Sequence, residues 1–258
     1  MVCAMDSNKC ERHISGQLNR DELWHGGPQF INDSGVFRLG TDSVLLADFT
    51  NTAKAKRAVD LGCGSGIISI ILSWNNPEMF IDSVEIDPRA AGIAAENAKI
   101  NRLSARMTVT TGDLRDHREL FTAGAYDLTV SNPPYFAKGH GKQSSIDGLK
   151  SARSEEFCTL SDVCKAAMYL TRWGGIFALV HRPQRLSEIF AALSESGFEP
   201  KRMRFVQHMA KSPPSLVLIE SRRGGNPSLT IEAPLILAND DGSDSAEVCR
   251  IYRRHIGN

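Results

Sequence analysis

Arg57-Ala58-Val59-Asp60-Leu61-Gly62-Cys63-Gly64-Ser65-Gly66 is the stretch on which the fold turns. Its first half is a short apolar run of the kind that makes a buried strand, and three alternating glycines follow at once. Ile67, Ile68, Ile70 and Ile71 then continue as a helix. A strand, a glycine turn and a helix in direct succession form the opening of a βαβ unit. Glycines in that turn let a ligand approach the backbone with no side chain between. The spacing is Gly-x-Gly-x-Gly, not the dinucleotide-binding Gly-x-Gly-x-x-Gly, and an acid, Asp60, stands just before the turn.

The same unit recurs downstream. Ile81 to Ile86 form a strand ending in Glu85-Ile86-Asp87-Pro88, and Pro88 opens a helix through Ala90, Ile93, Ala94 and Ala98. Asp87 is best placed to cap that helix. Met107 to Thr110 form a third strand, ending in Gly112-Asp113-Leu114. Asp127 to Val130 form a fourth, which runs into Ser131-Asn132-Pro133-Pro134-Tyr135. Proline cannot donate to a sheet ladder, and it pushes the residue before it out of the helical region. The backbone must therefore leave the sheet here, presenting Asn132 and Tyr135 at the edge. A helix through Leu160, Val163, Ala166, Ala167 and Leu170 ends at Trp173-Gly174-Gly175, and Ile176 to Val180 form a fifth strand. A helix through Leu186, Ile189, Phe190 and Leu193 closes at Gly197, and strands Met203 to Val206 and Leu216 to Glu220 complete the series. Strands alternating with helices at a spacing of about 25 residues predict an α/β, doubly wound, mostly parallel sheet with helices on both faces. Ligands of such sheets bind beyond the carboxyl ends of the strands. Asp60, Glu85, Asp113 and Asn132 are all placed at that edge.

The bulk composition excludes little. The chain has 258 residues, 41% apolar and 23% charged, with zero formal net charge, so no global field argues for a nucleic-acid partner. The distribution is uneven. Lys138 to Arg223 carries 14 Lys/Arg against 8 Asp/Glu, whereas the chain before it carries 13 against 17. The segment after Tyr135 is thus the basic one, compatible with a polyanionic substrate. Six cysteines, Cys3, Cys10, Cys63, Cys158, Cys164 and Cys249, lack metal-ligand spacing. They read as reduced thiols of a cytoplasmic protein with no metal. No signal-peptide pattern opens the chain and no apolar run approaches 18 residues, so no membrane role is expected.

Three segments are expected. Residues 1–23 are polar and weakly patterned, and they read as poorly ordered or extended along the surface. Residues 24–225 form the main domain. Within it, 24–56 hold a hairpin about Asn32-Asp33-Ser34-Gly35 and a helix through Val44, Leu45, Leu46 and Phe49, capped by Thr41 or Asp42, which cover the ligand site. Residues 226–258 form a C-terminal extension with a short helix through Val248 and Tyr252.

The strand-end residues suit one kind of chemistry. Exocyclic amines on aromatic rings are poor nucleophiles because the lone pair is delocalised. Two acceptors on the two N–H groups localise it, and the Asn132 side-chain oxygen and the Pro133 carbonyl can supply them. Tyr135 offers a face for a base to stack on, worth about 1–3 kcal/mol. Glu85 can accept hydrogen bonds from both hydroxyls of a ribose.

Four motifs together, Asp60-Leu61-Gly62-Cys63-Gly64-Ser65-Gly66, Val84-Glu85-Ile86-Asp87, Gly112-Asp113 and Asn132-Pro133-Pro134-Tyr135, resemble the class I amino-group methyltransferases of the gamma order. The stretch Phe37-Arg38-Leu39-Gly40-Thr41-Asp42-Ser43-Val44-Leu45-Leu46-Ala47 looks like that of the tRNA (adenine-N6) methyltransferases, which act beside the anticodon of a valine tRNA. Ala152-Arg153-x-Glu155 and His181-Arg182-Pro183-x-Arg185-Leu186 fit the same group, and the resemblance runs from about residue 24 to 225. It implies a Rossmann-like fold with a seven-stranded, mostly parallel sheet and S-adenosylmethionine as cofactor, without a metal. It implies Asn132, Pro133, Pro134 and Tyr135 as the catalytic stretch. Asp60, Gly62, Cys63, Gly64, Gly66, Glu85, Ile86, Asp113, Leu114 and Asn132 are the implied cofactor contacts, Asp113 taking the adenine amine. Lys138, Lys142, Arg153 and Arg182 are expected to hold a tRNA, with the protein a monomer. Glutamine N5-methyltransferases use the same tetrapeptide and resemble this chain from the glycine loop onward, but they carry a longer N-terminal helical domain. A non-catalytic nucleic-acid-binding protein on this fold would lose the glycines, Glu85 or Asn132, and all are present.

Overall fold

A computed structural model of the chain describes residues 20–31, 40–133 and 158–254. The expected strands are there, in the order a doubly wound sheet requires. Two short strands, β1 (Arg20–Glu22) and β2 (Gln29–Ile31), pair antiparallel with each other. The main sheet is built on β3 (Arg57–Leu61), whose last four residues are buried. To one side lie β4 (Phe80–Glu85) and β5 (Met107–Thr111). To the other lie β6 (Tyr126–Ser131), β7 (Thr171–His181), then β9 (Pro214–Arg223) and β8 (Phe198–Gln207). Pairings from β5 through β7 are parallel, and those of β9 with β7 and β8 are antiparallel. These seven are the strands expected from the sequence. Two further pieces, β10 (Thr230–Ile231) and β11 (Leu235–Ile236), add to the free edge of β8. The chain reverses its direction of travel across the sheet between β3 and β6, which opens a crevice at their carboxyl ends.

Helices cover both faces because the central strands are apolar on both. Ala58 and Ile81 point to one core, with α1 (Thr41–Phe49), α2 (Ile67–Asn75) and α7 (Ala246–Ile251). Val59, Leu61 and Val84 point to the other, with α5 (Leu160–Leu170) and α6 (Leu186–Glu195). Two further helices, α3 (Pro88–Ile100) and α4 (His117–Leu120), follow β4 and β5. Asp87 caps α3, its carboxylate accepting from the Arg89 amide at 2.9 Å, as expected. Helix α5 opens with a reciprocal cap between Thr159 and Asp162.

Arg20–Glu22, at the end of the segment expected to be loosely ordered or extended along the surface, is an exposed strand, and no apolar pattern marks it. Two local expectations are corrected. The residue before α1 is Gly40, with no side-chain cap from Thr41 or Asp42. Trp173-Gly174-Gly175 lies within β7 instead of ending a helix, beside a register shift against β6. The expected hairpin about residues 32–35 falls outside the described residues.

Long-range polar contacts fix the N-terminal elements. Asn97, fully buried on α3, accepts from the Ile31 amide at 2.8 Å and donates to the Ser65 carbonyl at 2.9 Å. It joins β2 to the glycine turn. The C-terminal extension holds α1: Arg250 grips Asp48 with two bonds of 3.0 and 2.9 Å. Arg202 stacks over Phe49 at 4.4 Å and pairs with Glu220 and Glu232.

Gly66 precedes α2 at φ +82°, where a Cβ would lie 3.1 Å from Met107 Cε and 3.2 Å from Ala94 Cβ. Gly66→Ala is expected to cost about 1–3 kcal/mol of stability. Urea unfolding checks this: the midpoint should fall at constant slope, and an unchanged midpoint contradicts it.

Candidate active site

The crevice holds a cleft with about 740 Å³ of empty space, its open mouth included. Its walls come from the ends of four adjacent strands. Leu61 and Gly62 end β3, Val84, Glu85 and Ile86 end β4, Gly112, Asp113 and Leu114 follow β5, and Ser131, Asn132 and Pro133 end β6. Val163 and Cys158 close it from α5 and the residues before that helix.

The glycine turn is held by a carboxylate. Glu85 Oε2 accepts the Gly64 amide at 2.9 Å, and its Oε1 accepts the Asp87 amide at 2.9 Å. A carboxylate offers about four lone-pair directions, so these two bonds leave capacity for further donors. Gly62, at φ +74°, has no atom within 4 Å of where a Cβ would sit, so its backbone stays open to the cleft. Ile86 is 52% exposed, a large apolar side chain at the cleft wall. With Leu114, Val163 and Pro133 it gives the cleft apolar walls of the kind a flat heterocycle fills.

Asp113 is engaged in a way the sequence reading missed. Its two oxygens accept from Arg115 Nε at 3.0 and 2.9 Å, and the Arg115 Nη2 bonds the same carboxylate. Those bonds hold the Asp113 carboxyl below its ordinary value. The signal available was an Asp-x-Arg pair, which sequence alone does not distinguish from two solvated charges.

Asp60 lies beneath the turn, fully buried. Burial pushes its pKa up to about 7, the nearby Glu85 adding to the rise and the Ser69 hydroxyl opposing it. Ser69 Oγ donates to Asp60 Oδ2 at 2.7 Å and lies 2.9 Å from Ser83 Oγ. Asp60 Oδ1 has no hydrogen-bond partner among the described residues. Cys63 is buried, and burial holds its thiol well above the ordinary value. Cys158 is pushed up to about 12 by burial. Neither is a thiolate nucleophile at neutral pH.

Asn132 sits at the mouth between β6 and α1. Its Nδ2 donates to Ser43 Oγ at 3.0 Å. Just before it, Ser131 Oγ donates to the Leu61 carbonyl at 2.8 Å and ties β6 to β3. At the end of β7, His181 is buried and burial lowers its pKa to about 4, so the imidazole is neutral. Arg182 follows it and donates to the Ser215 carbonyl at 3.1 Å.

Of the residues singled out from sequence, Gly62, Glu85, Ile86, Asp113, Leu114, Asn132 and Pro133 line one cleft. Asp60, Cys63, Gly64 and Gly66 build the turn behind it. Arg182 stands at the same carboxyl edge, two strands from the glycine turn. Pro134, Tyr135, Lys138, Lys142 and Arg153 lie outside the described residues. Ser43, Arg115, Cys158 and Val163 were not singled out. Among the described residues no cluster of His, Cys, Asp and Glu is arranged to hold a metal ion, and no helix is long and apolar enough to cross a membrane.

A doubly wound sheet with antiparallel strands closing one side and a glycine-turn cleft at its carboxyl edge is the architecture of the class I methyltransferases. The Methyltransferase small domain matches residues 28–189, and the chain belongs to that family. A tRNA1(Val) (adenine(37)-N6)-methyltransferase of Yersinia pseudotuberculosis is 29% identical over 93% of this chain and 96% of its own length. A protein of the same name from Yersinia pestis is 30% identical over 91% of this chain and 96% of its own. Among solved structures, a predicted O-methyltransferase from Agrobacterium tumefaciens superposes with a TM-score of 0.68 at 22% identity, covering 83% of this chain and 96% of that one. TrmN from Thermus thermophilus gives 0.50 at 22%, over 70% and 47%. Both structural likenesses speak to the fold.

Asp60 yields a pH prediction. Its folded pKa lies above the ordinary value of 3.8, so the neutral form is the one the fold favours. Its contribution to stability is complete below about pH 4 and is lost as pH rises toward 7. Asp60→Asn, which cannot ionise, should therefore gain stability relative to the parent between pH 5 and pH 8. Thermal unfolding at both pH values tests this; a difference in Tm that does not change with pH contradicts it.

Proposed function

We propose that the protein transfers a methyl group from S-adenosylmethionine to the exocyclic N6 amine of an adenine in RNA, with a tRNA adenine at position 37 as the substrate. The observation that carries this is the placement of Asn132 and Pro133 on the same cleft as Gly62, Glu85 and Asp113. That placement supports reading the two residues as an acceptor pair for an amine. The names of relatives that align over more than nine-tenths of the chain support the adenine and the tRNA.

The residues present fit the cofactor. The open Gly62 backbone admits its amino-acid part, and Glu85 retains lone pairs for the ribose hydroxyls. The apolar walls at Ile86 and Leu114 take the adenine, beside Asp113. Its sulfonium supplies an activated methyl group, so positioning carries much of the rate. The work of the chain is then on the acceptor. Asn132 Oδ1 and the Pro133 carbonyl take the two amine N–H groups and draw the nitrogen lone pair out of conjugation with the ring. Proline at 133 fixes the backbone that aims the carbonyl. The same two oxygens hold the protons until solvent removes one. Tyr135 provides the stacking face, and Lys138, Lys142, Arg153 and Arg182 contact the RNA backbone.

Asn132→Ala should lower kcat for methyl transfer by about 100- to 1000-fold, the effect of removing one preorganised hydrogen-bond partner of a transition state. Cofactor affinity, measured by titration calorimetry, should stay close to that of the parent. A variant with the parent's kcat contradicts the role of Asn132.

A further inference from the structure

The Asn132 amide can serve an acceptor amine only from a side-chain rotamer that faces the cleft, and the backbone alone does not choose that rotamer. Ser131 Oγ on the Leu61 carbonyl pins the chain on one side of Asn132, and Pro133 restricts it on the other. The remaining freedom is the side-chain torsion.

One contact addresses that freedom. Ser43 Oγ accepts the Asn132 Nδ2–H at 3.0 Å, from a residue 89 positions away on another element. Ser43 is 6% exposed, so water competes poorly for the same N–H. Its helix is anchored by contacts outside the cleft. Val44, Leu45, Leu46 and Ala47 are almost fully buried beside it. Arg250 of the C-terminal extension grips Asp48, and Arg202 reaches the Phe49 carbonyl at 3.4 Å.

We propose that Ser43 is a positioning residue for methyl transfer: its hydrogen bond with the Asn132 side-chain amide holds that amide in the rotamer from which it serves the acceptor amine. This rests on the assignment of Asn132 as an amine acceptor. It gives α1 a role beyond packing, and it makes the C-terminal extension part of the support for the catalytic edge.

Ser43→Thr and Ser43→Val separate the hydroxyl from the volume, since the two replacements have nearly the same shape. Ser43→Ala serves as a second hydroxyl-free variant that adds no bulk. Two readouts are needed. The first is the Asn132 side-chain amide resonance in a ¹H–¹⁵N spectrum, assigned by its loss in Asn132→Ala. It should keep its position and slow exchange in S43T, and shift with faster exchange in S43V and S43A. The second is kinetic. S43V and S43A should lose kcat of order 100-fold relative to S43T, the scale of a catalytic group misplaced by about 1 Å, with RNA KM and cofactor affinity close to the parent's. Equal kcat in S43T, S43V and S43A overturns the proposal. So does a loss of kcat accompanied by equal losses in KM, cofactor affinity and Tm, which marks a packing role. If the parent chain methylates no RNA while the resonance still responds to loss of the hydroxyl, the fixed amide stands and the substrate assignment falls. If the resonance is the same in all three variants, the fixed amide falls whatever the substrate.

Discussion

A single carboxylate shapes the carboxyl edge of the sheet. Glu85 accepts one amide from the turn after β3 and one from the turn after β4, each at 2.9 Å. The first turn runs through positive φ at Gly62, Gly64 and Gly66; the Gly62 and Cys63 amides bond to the Val84 carbonyl and the Gly66 amide to the Cys63 carbonyl, while the Gly64 amide is taken by a side chain. Glu85 supplies it, and Asn97 takes up the Ser65 carbonyl from the opposite side. The turn is thereby held open over the crevice, where a loop without these partners would fold back to satisfy its own amides.

The other wall of the crevice is held in the same manner, by side chains from distant segments. Ser131 ties β6 to β3, and Ser43 meets Asn132 from α1. The acids at this edge are held differently. The Arg115 bonds hold the Asp113 carboxyl below its ordinary value, whereas burial pushes Asp60, behind the turn, up to about 7. Glu85 stands between them in sequence and in the sheet.

The central sheet was legible because parallel strands are buried on both faces and read as continuous apolar runs. The acid or amide at each strand end marked this edge: Glu85, Asp113 and Asn132 line one cleft there, and Asp60 lies buried behind the glycine turn. What escaped the sequence has physical causes. Strand β1 is wholly exposed and carries no apolar alternation. Strands β10 and β11 are two residues long and are defined only by pairing with β8. Gly174 and Gly175 read as a turn, yet at Gly175 a Cβ would lie 2.6 Å from Thr171 Cγ2 and 2.9 Å from the Arg172 carbonyl, so that glycine serves a close approach inside β7. Side-chain pairs such as Ser43 with Asn132 and Arg250 with Asp48 join residues far apart in the chain, and no periodicity announces them.

Chemistry and polymer are tested together by one measurement. The protein is incubated with unmodified tRNA and S-adenosylmethionine labelled in the methyl group, and the RNA is digested to nucleosides and resolved by mass spectrometry. The proposed function places the label in N6-methyladenosine. Label in a different nucleoside, or none in the RNA, would contradict it.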